Sequence, residues 1–247
     1  AWGRIHSADR HYLLHEYFNA NWDCFSLSQV NELMQTAKLQ FVGTTTSNPY
    51  INHLAMDENR LAQVQAQPNV LAAESWRDVL LSNTFRQDLY IKGGEALSPQ
   101  AILRRLQKQR FVCTVEAEQF TNFLFNTQDS RHFNADLFDP IKALLIDQAY
   151  APKSFAQIQA AVGSKYTWQH ILQVLLLKIS AGHLQPCVEQ ETTQTRQQCL
   201  DLNMAILGKL DDKVSGVYVA SPVTGMALTL EYIYAWCLRT WLQQPKA

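Results

Sequence analysis

HYLLHEYFNANWDCFSLSQVNELMQTAKLQFVG, residues 11–43, places polar, aromatic and turn-forming side chains just ahead of a helix-to-strand pattern. Ser26 has the chemistry of an N-cap, and Val30, Leu33, Met34 and Ala37 follow at helical spacing. This predicts an amphipathic helix over 27–38 with its apolar stripe facing a core. Leu39 to Thr44 then reads as a strand. Upstream, a helix capped by Asp9 would bring His11 and His15 to one face, beside Glu16. Two imidazoles at that spacing can hold a metal. The zincin pattern, however, has Glu directly after the first His, where this chain has Tyr12, and no third ligand is identifiable. The pair therefore reads as structural or as part of an interface.

Working outward, Thr44 to Pro49 is a polar turn run ending in a residue without an amide proton, so the chain should leave the sheet there. Met56 to Gln65 reads as a helix. Asn69 can cap another, whose apolar face would be Leu71, Trp76, Val79 and Leu80, with Trp76 in the core. Phe85 to Lys92 alternates as a strand. Gly93-Gly94 permits positive φ and separates two periodic regions, which puts a domain division near residue 96. No Gly-Lys-Ser/Thr follows that pair, and the chain has no acidic-x-Gly-x-Gly-x-Gly loop.

The order His15-Glu16-Tyr17-Phe18, then Asn19, a helix, and Lys38 to Gly43 resembles the opening of the methyltransferase regulatory domain. Thr84 to Leu89 resembles that family's Phe-Arg-Gln-x-Leu segment, and Ser221-Pro222-Val223-x-Gly225 a motif near its C-terminal end. Asp23, Cys24, Phe25 and Ser26 stand where the family usually has Pro and an aromatic pair. In that family this region follows a SAM-dependent methyltransferase domain, including in proteins similar to bacterial protein-lysine methyltransferases. The resemblance implies an accessory role, and by position it nominates His15, Glu16, Tyr17 and Asn19 as interface residues.

With 47% apolar and 17% charged residues, the 247-residue chain has a globular balance, and its length allows one large or two smaller domains. Two are expected, 1–95 and 96–247. A net charge of −1 supplies no field for nucleic acid or anionic lipid. The five cysteines, at 24, 113, 187, 199 and 237, contain no CxxC pair and read as reduced cytoplasmic thiols, mostly in the core. No signal peptide or membrane span is recognisable. The chain lacks a starting Met and opens on a block that lies in mid-protein in the resembling family, so a catalytic half is expected elsewhere.

In the second region, Ser98-Pro99 starts a helix to about Arg110 whose outer face carries Arg104, Arg105, Lys108 and Arg110. That face reads as solvated, with an anion or acidic-partner site as the functional alternative. Phe111–Val115 and Thr121–Phe125 would form a hairpin around residues 116–119. A helix starting at Pro140, a second capped by Ser154, a third capped by Thr167 and a strand from His183 make a winged-helix-like unit over about 136–190. Its third helix is mostly apolar, with Lys165 and Lys178 its nearby cations, too few for the phosphate contacts DNA binding needs. Arg196–Lys209 reads as a helix, Val217–Ser221 as a strand, and Leu228–Gln243 as an aromatic helix docked on the body or on another chain.

The expected fold is α+β, predominantly helical with short strands. The expected function is a non-catalytic regulatory or substrate-recognition region of a SAM-dependent methyltransferase, with a protein as the preferred substrate. A winged-helix nucleic-acid binder is the alternative. No catalytic, cofactor-binding or metal residue is identified, and SAM is expected only in an associated catalytic domain, joined in cis or in trans. Nucleic acid is a disfavoured partner, no membrane is expected, and a second copy of the chain is a further candidate.

Overall fold

The computed structural model describes residues 9–18, 20–21, 23–45, 56–83, 85–123, 132–210 and 216–243. They form two compact units, Ala1–Glu95 and Ala96–Ala247. With 54% of the described residues helical and 15% in short strands, the fold is α+β and predominantly helical.

In the first unit Asp9 caps α1 (Arg10–Tyr17), accepting from the amides of His11 and Tyr12. Ser26 and Gln29 form a reciprocal capping box on α2 (Leu27–Thr36). The chain turns through Lys38 at φ +59° into β1 (Leu39–Thr44). Helices α3 (Glu58–Gln65) and α4 (Val70–Leu81), capped by Asp57 and Asn69, precede β2 (Asp88–Lys92). β1 and β2 pair antiparallel from Leu39↔Lys92 to Thr44↔Asp88, with an irregularity between Phe41 and Gly43.

The second unit begins with α5 (Pro99–Lys108) and β3 (Arg110–Cys113). Next come α6 (Ala135–Tyr150), β4 (Lys153–Ser154), α7 (Phe155–Val162), α8 (Trp168–Ser180) and β5 (Leu184–Pro186). The three strands pair in the order β4-β3-β5, under a core that includes Phe120, Phe138, Ile141, Leu145, Phe155 and Leu175. Each such side chain, removed from water, contributes about 1.5–3 kcal/mol before entropy is charged against it. A smaller cluster around Leu207, Val219 and Ala235 joins α9 (Thr193–Gly208), the hairpin β6 (Gly216–Ala220) and β7 (Ala227–Glu231), and α10 (Tyr232–Gln243).

Several expectations are corrected. No hairpin joins 111–115 to 121–125: β3 pairs with β4 and β5, Phe123 bridges only His132, and residues 124 and 125 lie outside the described set. Burying Phe111 and Cys113 between two distant strands wins over a local turn. Pro140 is inside α6, because Asn134 caps that helix six residues earlier, on the amide of Asp136. Residues 227–231 are strand: the turn after β6 reverses the chain, so helix begins only at Tyr232. Of the cysteines, only Cys113 and Cys187 are buried; Cys24 and Cys237 are exposed, and Cys199 lies between. The turn run over 46–49 lies outside the described residues. A helix, strand, helix, helix, strand succession over 135–186 is compatible with a winged helix, but its central strand comes from residues 110–113, ahead of the helices.

Candidate docking surface

The first unit inverts its expected burial. On α4, Val79 is 67% exposed and Trp76 39%, whereas Glu74 and Arg77 are 8% and 9% exposed. The reason lies across the unit, in Arg86 and Asp88. Arg86 Nη1 donates to Asp78 Oδ1 at 2.7 Å, and its Nη2 reaches Asp88 Oδ1 at 2.8 Å and Glu74 Oε2 at 3.3 Å. Glu74 also pairs with Arg77. Residues 74, 77 and 78 share one face of α4, so three carboxylates and two guanidiniums meet inside the unit. Burial by itself would make Arg86 easier to deprotonate, but hydrogen bonds and charge from Asp88 and Asp78 outweigh it and hold the guanidinium firmly ionised. Burial, reinforced by Asp88 and partly offset by Arg86, pushes the Tyr90 phenol up. Its hydroxyl and Arg77 Nε have no hydrogen-bond partner among the described residues.

α2 departs from expectation in the same way, with Asn31 buried and Leu33 exposed. The sheet follows. Alternation turns Phe41 and Tyr90 inward, where their rings meet edge-on with centroids 5.7 Å apart, and leaves Val42, Leu89 and Ile91 outward. Leu89 is 53% exposed and Ile91 43%. Glu74, Arg77, Asp78, Arg86 and Asp88 are thus partnered inside while Val42, Leu89 and Ile91 line the outer sheet face, the mark of a surface that another body covers.

Of the nominated residues, His15 is exposed in the last turn of α1. Glu16 and Tyr17 belong to the same helix, with side chains outside the described set, and Asn19 lies outside it entirely. Tyr12, Leu14 and Phe18 are exposed beside them. Among the described residues no group of three or more His, Cys, Asp or Glu could hold a metal. Sequence reading missed the ionic cluster. Its signal was there: Glu74, Arg77 and Asp78 at helical spacing, and Arg86-x-Asp88 on a strand.

The second unit holds an interior cation. Lys178 is fully buried, its ammonium 5.3 Å from the ring centroids of Phe133 and Phe138 and 5.8 Å from that of Phe120, donating to the Phe123 carbonyl at 2.6 Å. Burial, helped by Lys142, lowers its pKa to about 8. Burial and then Lys178 lower that of His183, whose Nδ1 is unpartnered among the described residues. Lys165 pairs with Asp136. Neither cation that sequence reading assigned to α8 is therefore a free phosphate contact.

Ser221 to Gly225 forms the β6–β7 turn. The Gly225 amide donates to Ser221 O at 2.9 Å, with Gly225 at φ +66°, where a side chain would be strained and would strike Val188. Asn203 fastens the turn to α9 through the amide and carbonyl of Ala220, at 2.7 and 2.9 Å. An apolar cleft of about 460 Å³ opens beside it, under Leu202, Tyr218 and Met226.

Comparison with known proteins agrees with this architecture. Residues 9–92 match the model of the predicted methyltransferase regulatory domain. The uncharacterised protein sll1526 of Synechocystis sp. is 25% identical over 229 residues, covering 92% of this chain and 45% of that protein. PKMT2 from Rickettsia typhi superposes with a TM-score of 0.58 at 14% identity, over 96% of this chain and 51% of PKMT2. Its complex with AdoHcy gives 0.56, over 96% and 50%. The chain thus spans about half the length of the relatives it matches. The first unit is the part that a family model recognises: residues 9–92 are similar to the predicted methyltransferase regulatory domain, on a chain whose fold resembles half of PKMT2.

Proposed function

We propose that the chain is the non-catalytic regulatory or substrate-recognition region of a SAM-dependent methyltransferase, joined to its catalytic domain in cis or in trans, with a protein as methyl acceptor. The observation that carries this reading is the aliphatic outer face of the β1–β2 sheet, inside the segment that matches the regulatory-domain family. Leu89 and Ile91 on a two-stranded sheet gain nothing from facing water, and the catalytic domain is the partner that the family name supplies. The His15–Asn19 block at the end of α1 is the polar rim of the same docking function, since mixed ionisable and aromatic groups suit an interface edge. SAM belongs to the catalytic domain. The compartment that fits is the cytoplasm; among the described residues no helix is long and apolar enough to cross a membrane.

Calorimetric titration of the purified chain with SAM should give no heat, and addition of the separately expressed catalytic domain should give saturable binding. Leu89→Ser with Ile91→Ser, and separately His15→Ala with Tyr17→Ala, should weaken that binding by about tenfold or more, roughly 1.4 kcal/mol, while leaving the melting temperature of the chain almost unchanged. Micromolar SAM binding by the chain alone overturns the reading. Light scattering distinguishes a second copy on the same face: a dimer abolished by the Leu89/Ile91 variant assigns that face to self-association.

A further inference from the structure

We propose that the cleft at the C-terminal end of α5 binds an extended acidic peptide, its carboxylates taken by Arg105, Lys108 and Arg110 and its backbone amides by Glu189 and Gln109. The cleft has a volume of about 410 Å³ and is completed by Cys187, so all its lining residues belong to the second unit. Main-chain ties between the start of β3 and the residues after β5 fix its base. The Cys187 amide donates to Arg110 O at 2.8 Å, and the Gln109 carboxamide donates to Arg110 O at 2.9 Å and to Cys187 O at 2.8 Å. Arg110 is half-buried, its Nη2 donating to Val188 O at 3.1 Å. A guanidinium pinned by one of its five N–H groups keeps the others for a ligand. Arg105 and Lys108 are exposed one turn apart on α5, and among the described residues neither they nor Glu189 has an ion-pair or hydrogen-bond partner. The α5 macrodipole favours cations in its last turn, which accounts for those two. It does not account for Arg110, which comes from β3 and lines the same cleft. Three cations against one carboxylate leave the concavity positive, on a chain whose net charge is −1.

The acceptors in the lining decide the class of anion. Gln109 spends its NH2 on two carbonyls, so what it and Glu189 still offer a ligand are acceptor oxygens. Phosphate groups present almost only acceptors and would set their charge against those oxygens. A peptide presents carboxylates to the cations and N–H groups to the oxygens. No aromatic residue lines the cleft, so a nucleic acid would find no ring on which to stack a base. Spacing agrees as well. Side chains one helical turn apart are roughly 5–6 Å from each other, and those at i and i+2 of an extended peptide are about 6.6 Å apart on one face. Acidic residues at alternate positions therefore meet Arg105 and Lys108 in succession. The site needs no methyltransferase domain, so its failure leaves the docking reading, tested with the catalytic domain, where it stood.

The test is fluorescence anisotropy with the whole chain at low ionic strength. The probe is a dye-labelled, doubly capped octapeptide alternating glutamate and serine, compared with its counterpart alternating glutamine and serine. The glutamate peptide should bind saturably, more weakly as added salt screens exposed charge, and at least about tenfold more tightly than the glutamine peptide. Arg105→Gln with Lys108→Gln should weaken it about tenfold without moving the melting temperature, since both side chains are exposed. Lys209→Gln, a charge removed outside the lining, should leave binding unchanged. Equal binding of the glutamine peptide, absence of saturable binding, or an equal loss with Lys209→Gln overturns the proposal. So does displacement of the peptide by inorganic phosphate or oligothymidylate at concentrations equal to its own, which assigns the cleft to a phosphate ligand.

Discussion

The interior of Ala96–Ala247 is hydrocarbon, with Phe120, Phe138, Ile141, Leu145, Phe155 and Leu175 in one cluster, and a wholly buried charge, Lys178, is lodged among phenyl rings. Among the described residues of Ala1–Glu95 the buried apolar side chains are few, Leu27, Met56 and Val64, and Arg86 with its carboxylates forms an ionic centre. The two units therefore rest on different physics. Burial of hydrocarbon contributes in proportion to area, wherever the atoms lie. A buried ion network contributes little beyond its desolvation cost but is very sensitive to loss of one member. The first unit places an ionic cluster in its interior and several aliphatic side chains, Val42, Val79, Leu89 and Ile91 among them, on its surface.

The largest effect is expected where hydrocarbon packing is broken. Phe138 stacks on Phe120 and Phe133, with centroids 5.5 and 5.7 Å away, and Phe138→Ala should remove about 4 kcal/mol from the second unit. Urea unfolding followed unit by unit should show the first unit's transition unmoved. Movement of both transitions together would break the comparison.

Arg86→Met should cost the first unit about 3 kcal/mol, by leaving Glu74, Asp78 and Asp88 facing one another with Arg77 as their remaining buried cation. Arg86→Lys should recover only part of this, because one ammonium cannot reproduce a fork reaching three carboxylates. Full recovery with Lys would mean that charge alone, without geometry, holds the unit.

Lys178→Met should raise the second unit's stability at pH 7 by about 1 kcal/mol, since a methionine fills the ring-lined space without desolvating a charge. The pH dependence follows from the lowered pKa of about 8 against an ordinary 10.5. Below pH 8 the lysine is charged both folded and unfolded, and the burial cost is fully present. Between 8 and 10.5 the unfolded chain holds more protons, so wild-type stability rises relative to the variant and the gap closes within that window. Paired melts from pH 7 to 10 check this; a gap that stays constant would show that Lys178 keeps its charge inside.

The smallest expected effect is the most diagnostic of the outer sheet face. Leu89→Ser with Ile91→Ser should change the first unit's stability by about 0.5 kcal/mol or less, because half-exposed side chains lose little. A loss like that of Phe138→Ala would mean that this face is core.

Local structure was legible where it depends on near neighbours. Ser26, Asn69, Ser98, Ser154 and Thr167 all stand at helix starts, because a cap acts on amides two or three residues away. Strand β1 spans the residues read from the pattern, Leu39–Thr44. What failed was which face turns inward. Leu71, Trp76, Val79 and Leu80 gave an acceptable apolar stripe, and nothing local to α4 reveals that Arg86 will meet its charged face instead. Strand pairing failed for the same reason: Phe111 and Cys113 lie beside Lys153, Leu184 and Pro186, partners 40 to 75 residues away. Of the site, the His15 block and the Phe-Arg-Gln segment were visible as motifs. The ionic centre formed by Arg86 and the outward face of Leu89 and Ile91 were not.

By itself, then, the sequence determined the helix starts, the turn glycines, the β1 strand and the resemblance over residues 9–92, each of which depends on a few consecutive residues and their backbone preferences. Only the tertiary structure decided that the Arg86 cluster lies inside and Val79, Leu89 and Ile91 outside in the first unit. Burial depends on what the rest of the chain brings to a face, and a guanidinium surrounded by three carboxylates makes an ionic interior sustainable where periodicity predicts hydrocarbon.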